Sequence, residues 1–306
     1  MQKEASVKAY DIVFDHTPEG ATERLWLYDV YKNIPEDISD LDIVHGTEEV
    51  TESGWLGNAG PNIPDNQWPR SSHSGLPMQH IFTLHLPEEY RTQGPEYVAV
   101  SFFAGDGQFA ELGERAVPDP HSDDPFLVQL AEYTPHPKCR ILTDILDSEY
   151  ATIFLTEAEF SGRSHGPEDV RRQGEHREDA ESYSAYSAYT RQKCERALGL
   201  VERIDPNAGI APICEYTYEP DGTINPKDVC SNGYEDPYDP DTRDDKPWAE
   251  SLYGRCHLGG TVFCVQNMPE GLTARYIEFE EMDVMNFGGG NAQLDLESNT
   301  FDWACG

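Results

Sequence analysis

Positive charge is scarce in this chain. Lys and Arg number 22 against 57 Asp and Glu, a formal net charge of -35 at pH 7. A phosphate backbone or an anionic bilayer is repelled by such a field, which excludes direct nucleic-acid binding and adsorption to an acidic membrane. Long apolar runs are missing as well. None approaches the length of about 20 residues that a membrane-spanning helix needs. The first residues, Met1-Gln2-Lys3-Glu4-Ala5-Ser6-Val7, hold no apolar signal core, so a cytoplasmic location is expected. No two cysteines form a C-x-x-C pair, no H-E-x-x-H pair occurs, and no G-x-x-x-x-G-K-[ST] loop is present to cradle a phosphate.

The seven cysteines, Cys139, Cys194, Cys214, Cys230, Cys256, Cys264 and Cys305, are odd in number and widely spaced. In a reducing compartment they are expected to be free thiols. The 306 residues are 38% hydrophobic, with 25 Gly and 22 Pro. That is enough apolar surface for a sizeable core in a loop-rich globular protein.

Along the chain, Tyr10–Phe14 and Leu25–Tyr31 read as a strand pair joined through Thr17-Pro18-Glu19-Gly20. Residues 33–72 read as an irregular excursion anchored by Trp55 and Trp68. Gln79–Leu86 and Tyr97–Phe103 are strands, the second apolar on both faces and therefore central. Gly105-Asp106-Gly107 turns the chain after it. Phe126–Tyr133 suits either a helix started by Ser122 and Pro125 or a strand. Ile141–Leu146 and Ala151–Leu155 are strand candidates. Residues 157–181 are charged and apolar-poor, the composition of a mobile loop. A helix is expected from Asp179 to Val201, its Tyr183, Tyr186 and Tyr189 stripe packed on the sheet.

The last fifty or so residues carry the clearest structural signature. Tyr276, Glu278 and Glu280 alternate with Ile277, Phe279 and Glu281, close to the period of a half-buried strand. Gly288, Gly289 and Gly290 then form a corner that needs backbone angles other residues resist. Asn291 and Gln293 supply amides expected to satisfy that corner's backbone groups. The run I-F-T-L-H-L-P-E at 81–88 matches F-C-V-Q-N-M-P-E at 263–270, each a strand ending in Pro-Glu. A diverged internal duplication is inferred from this pair. The expected fold is α+β and mainly antiparallel β: one domain over 1–306, with a first half of about 1–155, a helical and loop insertion of about 156–250, and a second half of about 251–306.

At Leu258-Gly259-Gly260, its following apolar strand and Gln266, and at the Phe287-to-Leu296 corner, the chain resembles the YwqG-like family of bacterial domains of unknown function. The resemblance spans about 60–110 and 250–306. Thr261-Val262 stands where a Pro and an aromatic would be typical of the family. The resemblance implies a mainly β fold of two related halves and no established activity. Some relatives look like neighbours or immunity partners of secreted toxins.

Three sets of residues are candidates for chemistry. Glu235, Asp236, Asp239, Asp241, Asp244 and Asp245 form an acidic segment that suits a basic protein partner, or calcium, although EF-hand spacing is absent. Cys256, His257, Cys264 and Cys305 have zinc-ligand chemistry with looser spacing than structural zinc prefers; buried thiols are the simpler reading. Gly105, Gly107, Gly288, Gly289, Gly290, Asn291 and Gln293 are structural. No cofactor is expected. The leading expectation is a non-enzymatic protein-binding module, an immunity or antitoxin-like inhibitor of a basic partner. The alternative is a hydrolase or metal-dependent enzyme with Cys, His and acidic groups in a cleft between the halves, His80, His85, His136 and His257 being the available bases.

Overall fold

The computed structural model describes residues 6–14, 51–57, 59–107, 115–144, 146–167, 196–212, 220–221, 232–239, 244–266, 268–281, 285 and 287–306. In chain order the strands are β1 (Ala9–Phe14), β2 (Thr51–Leu56), β3 (Ala59–Pro61), β4 (Gln79–His85), β5 (Tyr97–Ala104), β6 (Cys139–Thr143), β7 (Glu149–Thr156), β8 (Arg163–His165), β9 (Arg196–Arg203), β10 (His257–Leu258), β11 (Tyr276–Glu280), β12 (Asn291–Asp295) and β13 (Phe301–Ala304). Two helices, α1 (Pro125–Glu132) and α2 (Glu157–Phe160), occur among the described residues. All strand pairs with a described register are antiparallel, so the fold is β-rich α+β, as the alternating apolar runs predict. The chain falls into two compact units. One comprises Met1–Glu52, Leu198–Glu281 and Asn286–Gly306, the other Ser53–Ala197 and Met282–Met285.

In the second unit the strands lie in the order β2-β4-β5-β7-β6, and β3 pairs separately with β8. Strands β4, β5 and β7 are buried almost throughout, on both faces; β5 and β7 accordingly read as largely apolar runs, whereas β4 also buries Gln79, His80 and Thr83. Trp68 is fully buried beside Ile63, Val98, Ile153 and Leu155, stands edge-on to Phe103 at 5.3 Å, and donates its indole N–H to the Met78 carbonyl at 2.7 Å. Trp55 is buried too and donates to the Ala59 carbonyl. Both tryptophans thus anchor packing, as expected, but the stretch around them is not simply irregular, since it holds β2, which carries Trp55, and β3. Helix α1 starts at Asp124, whose Oδ1 accepts from the Phe126 N–H at 2.9 Å, with Pro125 following; Ser122 lies two residues too early. Residues 157–165 are not a loop, as their charge suggested. Thr156 and Glu159 form a capping box that starts α2, and β8 follows.

In the first unit the order is β13-β12-β11-β10-β1-β9. The helix expected up to Val201 is overturned at its C-terminal end, where β9 runs from Arg196 to Arg203. It pairs with β1 from Ala9↔Arg203 to Phe14↔Leu198. Burial of Leu198, Leu200 and Val201 and a six-residue ladder outweigh local helix propensity, which Gly199 already weakens. The rest of that expected helix, with Tyr183, Tyr186 and Tyr189, and the expected strand Leu25–Tyr31 lie outside the described residues.

The paired segments 81–88 and 263–270 do not correspond. The first enters β4; the second contains no strand among its described residues. A different match exists. The runs β2-β4-β5-β7 and β10-β11-β12-β13 are both four-strand antiparallel series with parallel registers: Trp55↔Thr83, Thr83↔Ser101, Ser101↔Ile153 in one, His257↔Glu278, Glu278↔Gln293, Gln293↔Asp302 in the other. The glycine after each first strand also donates back to the second strand, Gly57 N–H to Ile81 O at 3.0 Å and Gly259 N–H to Tyr276 O at 2.9 Å.

The corner before β12 requires its glycines. Gly288 and Gly289 have φ of 65° and 81°, in the left-handed region. A Cβ on Gly290 would overlap the Ala304 carbonyl oxygen and lie 2.6 Å from its carbon, against β13. The corner N–H groups of Phe287 and Gly289 are satisfied by Glu281 Oε1 at 2.5 and 2.9 Å. Replacing Gly290 by Val should therefore lower the melting temperature most, and Gly288→Val and Gly289→Val should each cost more than about 1 kcal/mol of stability, the lower end of such backbone strain. Wild-type melting of all three variants would contradict the close packing of β12 on β13.

Candidate functional site

The polar chemistry of the first unit gathers around Thr261-Val262-Phe263-Cys264-Val265. This stretch follows Leu258-Gly259-Gly260 and is apolar and β-branched like a strand, yet side chains rather than another strand hold its backbone. Asp205 accepts from the Thr261 N–H at 3.0 Å and hydroxyl at 2.8 Å. The Tyr234 hydroxyl accepts from the Val262 N–H at 2.9 Å. Glu278 Oε2 accepts from the Phe263 N–H at 3.0 Å, and Asn291 Nδ2 donates to the Phe263 carbonyl at 2.8 Å. The Tyr238 hydroxyl donates to the Cys264 carbonyl at 2.6 Å, and Asn291 Oδ1 accepts from the Val265 N–H at 3.2 Å. A segment so bound needs no ladder to satisfy its buried backbone groups. That is why a strand-like sequence here forms no strand. The amides of Asn291 and Gln293 serve this stretch and Glu278, not the glycine corner that follows Phe287.

Two buried polar groups support the stretch. In one, Asp205 takes Arg203 Nη2 at 2.8 Å, Arg203 Nη1 reaches Asp11 at 2.6 Å, and Asp11 takes Arg255 Nη1 at 2.9 Å. Burial alone would push the Asp205 carboxyl upward, but the Arg203 guanidinium and the N–H groups of Asn207 and Thr261 outweigh it and hold it below the usual range. Burial likewise opposes the charge on Arg203, and Asp11 and Asp205 reverse that effect. In the other, Glu278 accepts from His257 Nε2 at 3.0 Å and from Gln293 Nε2 at 3.1 Å besides Phe263. His257 Nδ1 faces the Gly259 carbonyl at 3.0 Å. Both ring nitrogens therefore face oxygen atoms. His257 and Glu278 are 0% and 1% exposed, so the pair meets no substrate.

The second unit has a neutral counterpart, in which Thr83 and Ser101 stand at the strand positions of Glu278 and Gln293, while the imidazole, His80, comes from β4 itself rather than from the first strand of the series. His80 Nδ1 lies 2.5 Å from the Gly57 carbonyl, His80 Nε2 2.8 Å from Thr83 Oγ1, and Thr83 Oγ1 2.5 Å from Ser101 Oγ. Burial lowers the His80 imidazole to about 4, so it stays neutral, donating through Nδ1 and accepting the Thr83 hydroxyl at Nε2. The order imidazole-hydroxyl-hydroxyl is that of an activated nucleophile, but all three side chains are buried. Gly162-Arg163-Ser164-His165-Gly166 spells G-x-S-x-G. It is no nucleophile elbow. Ser164 lies in the middle of β8 rather than at a sharp turn leaving a strand, and its hydroxyl donates to the Pro61 carbonyl at 2.5 Å.

The sequence-predicted sites are dispersed. Cys256 is buried just before β10, where its sulfur accepts from the Glu280 N–H and burial pushes its thiol well up. Cys264 packs with Val262, Leu272 and Tyr276. Cys305 is exposed beside the Gln266 amide, and the His257 ring is taken up by Glu278 and Gly259. Among the described residues no group of three or more His, Cys, Asp or Glu side chains is arranged to hold a metal ion. In the acidic segment, Glu235, Asp244 and Asp245 are exposed, whereas Asp236 turns inward and caps the Tyr238 N–H at 3.0 Å. Asp239 and Asp244 are joined through their backbones at 2.8 Å, and Asp241 lies outside the described residues. Gly105 is buried against Met78 and Ser71, each 2.8 Å from where a Cβ would stand, and Gly107 is half-buried beside it. Missed from sequence were Asp11, Arg203, Asp205, Arg255, Thr83 and Ser101, and also Glu278, which Y-I-E-F-E disguises as a solvent-facing position.

A scan against protein-family models finds no match, and searches of curated proteins and of solved structures find none either.

Glu280 gives this region a pH dependence. Burial first, then the nearby Glu278 and Glu281 carboxylates, raise its carboxyl from 4.5 to about 8. Between those values the unfolded chain has lost the proton and the folded chain keeps it, so stability is full below about 4.5 and falls as pH rises toward 8. Glu280→Gln should flatten that fall, with a melting advantage over wild type that grows from pH 5 to pH 8. Parallel melting curves for the two proteins across the range would show that Glu280 ionises normally.

Proposed function

We propose that the protein is a non-enzymatic binding module that engages a basic protein partner, in the manner of an immunity protein or antitoxin-like inhibitor. The observation carrying this reading is the net charge of -35, with Glu235, Asp244 and Asp245 displayed at the surface. Such a field steers a cationic partner toward the molecule and raises its association rate. The start of the acidic segment, Tyr234 to Tyr238, also rests on a fixed frame. The Glu235 backbone is clamped at both ends by Asn207, at 2.6 and 2.7 Å, and Tyr234 and Tyr238 reach into the Thr261–Val265 stretch. A partner would therefore meet a surface with little ordering cost left. The His257–Glu278 and His80–Thr83–Ser101 groups, the best candidates for acid-base or nucleophilic work, are spent on internal hydrogen bonds. The resemblance to YwqG-like domains fits the same reading, and the two matching four-strand series are in our reading descendants of one ancestral unit.

The test is capture of partners from the native host at low and moderate salt, with the Glu235→Lys, Asp244→Lys, Asp245→Lys triple variant alongside wild type. The expected outcome is a basic partner retained at low salt, weakened at moderate salt and lost by the variant. Binding indifferent to both salt and charge reversal, or no basic partner at all, would overturn the proposal.

A further inference from the structure

We infer that Asn232-Gly233 is a self-modifying site, at which the backbone converts Asn232 to aspartate and isoaspartate without an enzyme. It is the chain's only Asn-Gly step. Ring closure requires the Gly233 amide nitrogen to reach the Asn232 side-chain carbonyl carbon, and a side chain on the following residue is what ordinarily obstructs it. Gly233 carries none, has φ of 87°, and nothing stands within 4 Å of where a Cβ would be. Both residues are exposed, so water has access to the ring once formed.

The local hydrogen bonds favour the reaction at its difficult step. The Tyr234 N–H donates to Asn232 Oδ1 at 3.2 Å. As the Gly233 nitrogen loses its proton and attacks Cγ, negative charge develops on that oxygen, where the Tyr234 N–H stands ready to stabilise it. The Cγ–Nδ2 bond then breaks and Nδ2 leaves as ammonia, closing a succinimide. Water opens the ring at Cγ to give aspartate, or at the backbone carbonyl to give isoaspartate. No oxidant or reductant enters.

The consequences are local and cumulative. Asn232 Nδ2 donates to the Ala211 carbonyl at 2.8 Å, and that bond goes with the ammonia. A negative charge appears three residues before exposed Glu235. Isoaspartate also lengthens the backbone immediately ahead of Tyr234, which is 4% exposed and receives the Val262 N–H. The site thus marks the age of each molecule with added acidity beside the Glu235–Asp245 segment.

The experiment is a peptide map of the folded protein held at neutral and at mildly alkaline pH, beside a synthetic peptide of the same local sequence. Asn232 should convert to an Asp and isoAsp mixture through a succinimide, with ammonia release and a faster rate at alkaline pH. Exposed Asn62 and Asn66, followed by Ile63 and Gln67, should remain intact over the same time. Asn232→Gln should abolish the conversion while leaving the melting temperature close to wild type. Asn232 still intact after the free peptide has converted, or equal conversion at Asn62 and Asn66, would overturn the inference.

Discussion

The first unit depends on a carboxylate that cannot be moved. Glu278 projects from β11 into the buried interior, where it gathers the His257 ring, the Phe263 N–H and the Gln293 amide. An unpaired charge there would cost several kcal/mol, so every donor matters. The dependence is mutual. Phe263 lies on a stretch with no strand partner, and without Glu278 and Asn291 its backbone groups would be buried unmet. Fold and polar core are therefore one constraint: β10, β11 and β12 place the side chains, and the side chains place Thr261–Val265.

The same logic runs through the ion pairs on the other side of that stretch. Two guanidiniums, Arg203 and Arg255, face two carboxylates, Asp11 and Asp205, so the charges balance locally even though the whole chain is strongly acidic. Balance of this kind contributes specificity of arrangement more than raw stability, because desolvation offsets most of the attraction. The second unit reaches a similar end without charge. Thr83 and Ser101 occupy the strand positions that Glu278 and Gln293 occupy in the first, and His80 stays neutral beside them. One backbone plan carries two chemistries. Where the polar groups are charged, an irregular stretch is bound; where they are neutral, the layer closes on itself.

Much of the β architecture was legible in the sequence because it rests on local pattern. The apolar runs of β5 and β7, the tryptophan anchors and the glycine corner all announce themselves through composition over a few residues. The polar core was not legible for the opposite reason. Asp11, Arg203, Asp205 and Arg255 come from segments up to 244 positions apart and meet only once β1, β9 and β10 are assembled. Glu278 and Glu280 look solvent-facing because charge in alternation with Ile277 and Phe279 normally marks an outer face. The helix expected up to Val201 failed at β9 because cross-strand pairing is invisible to propensity. The strand at 263–266 failed because an apolar, β-branched run reports burial of side chains and says nothing of which groups take the backbone. The pairing of 81–88 with 263–270 failed for that same reason, with strand β4 set against a stretch that is not a strand.

The central claim is that side chains, led by Glu278, secure the backbone of Thr261–Val265 as firmly as a ladder would. Native-state amide hydrogen exchange reads this residue by residue. The account predicts that the Phe263 and Val265 N–H groups exchange as slowly as those of β11, and that Glu278→Gln releases Phe263 while the β11–β12 ladder amides remain protected. Rapid exchange at Phe263 in the wild-type protein, or protection unchanged in Glu278→Gln, would contradict it.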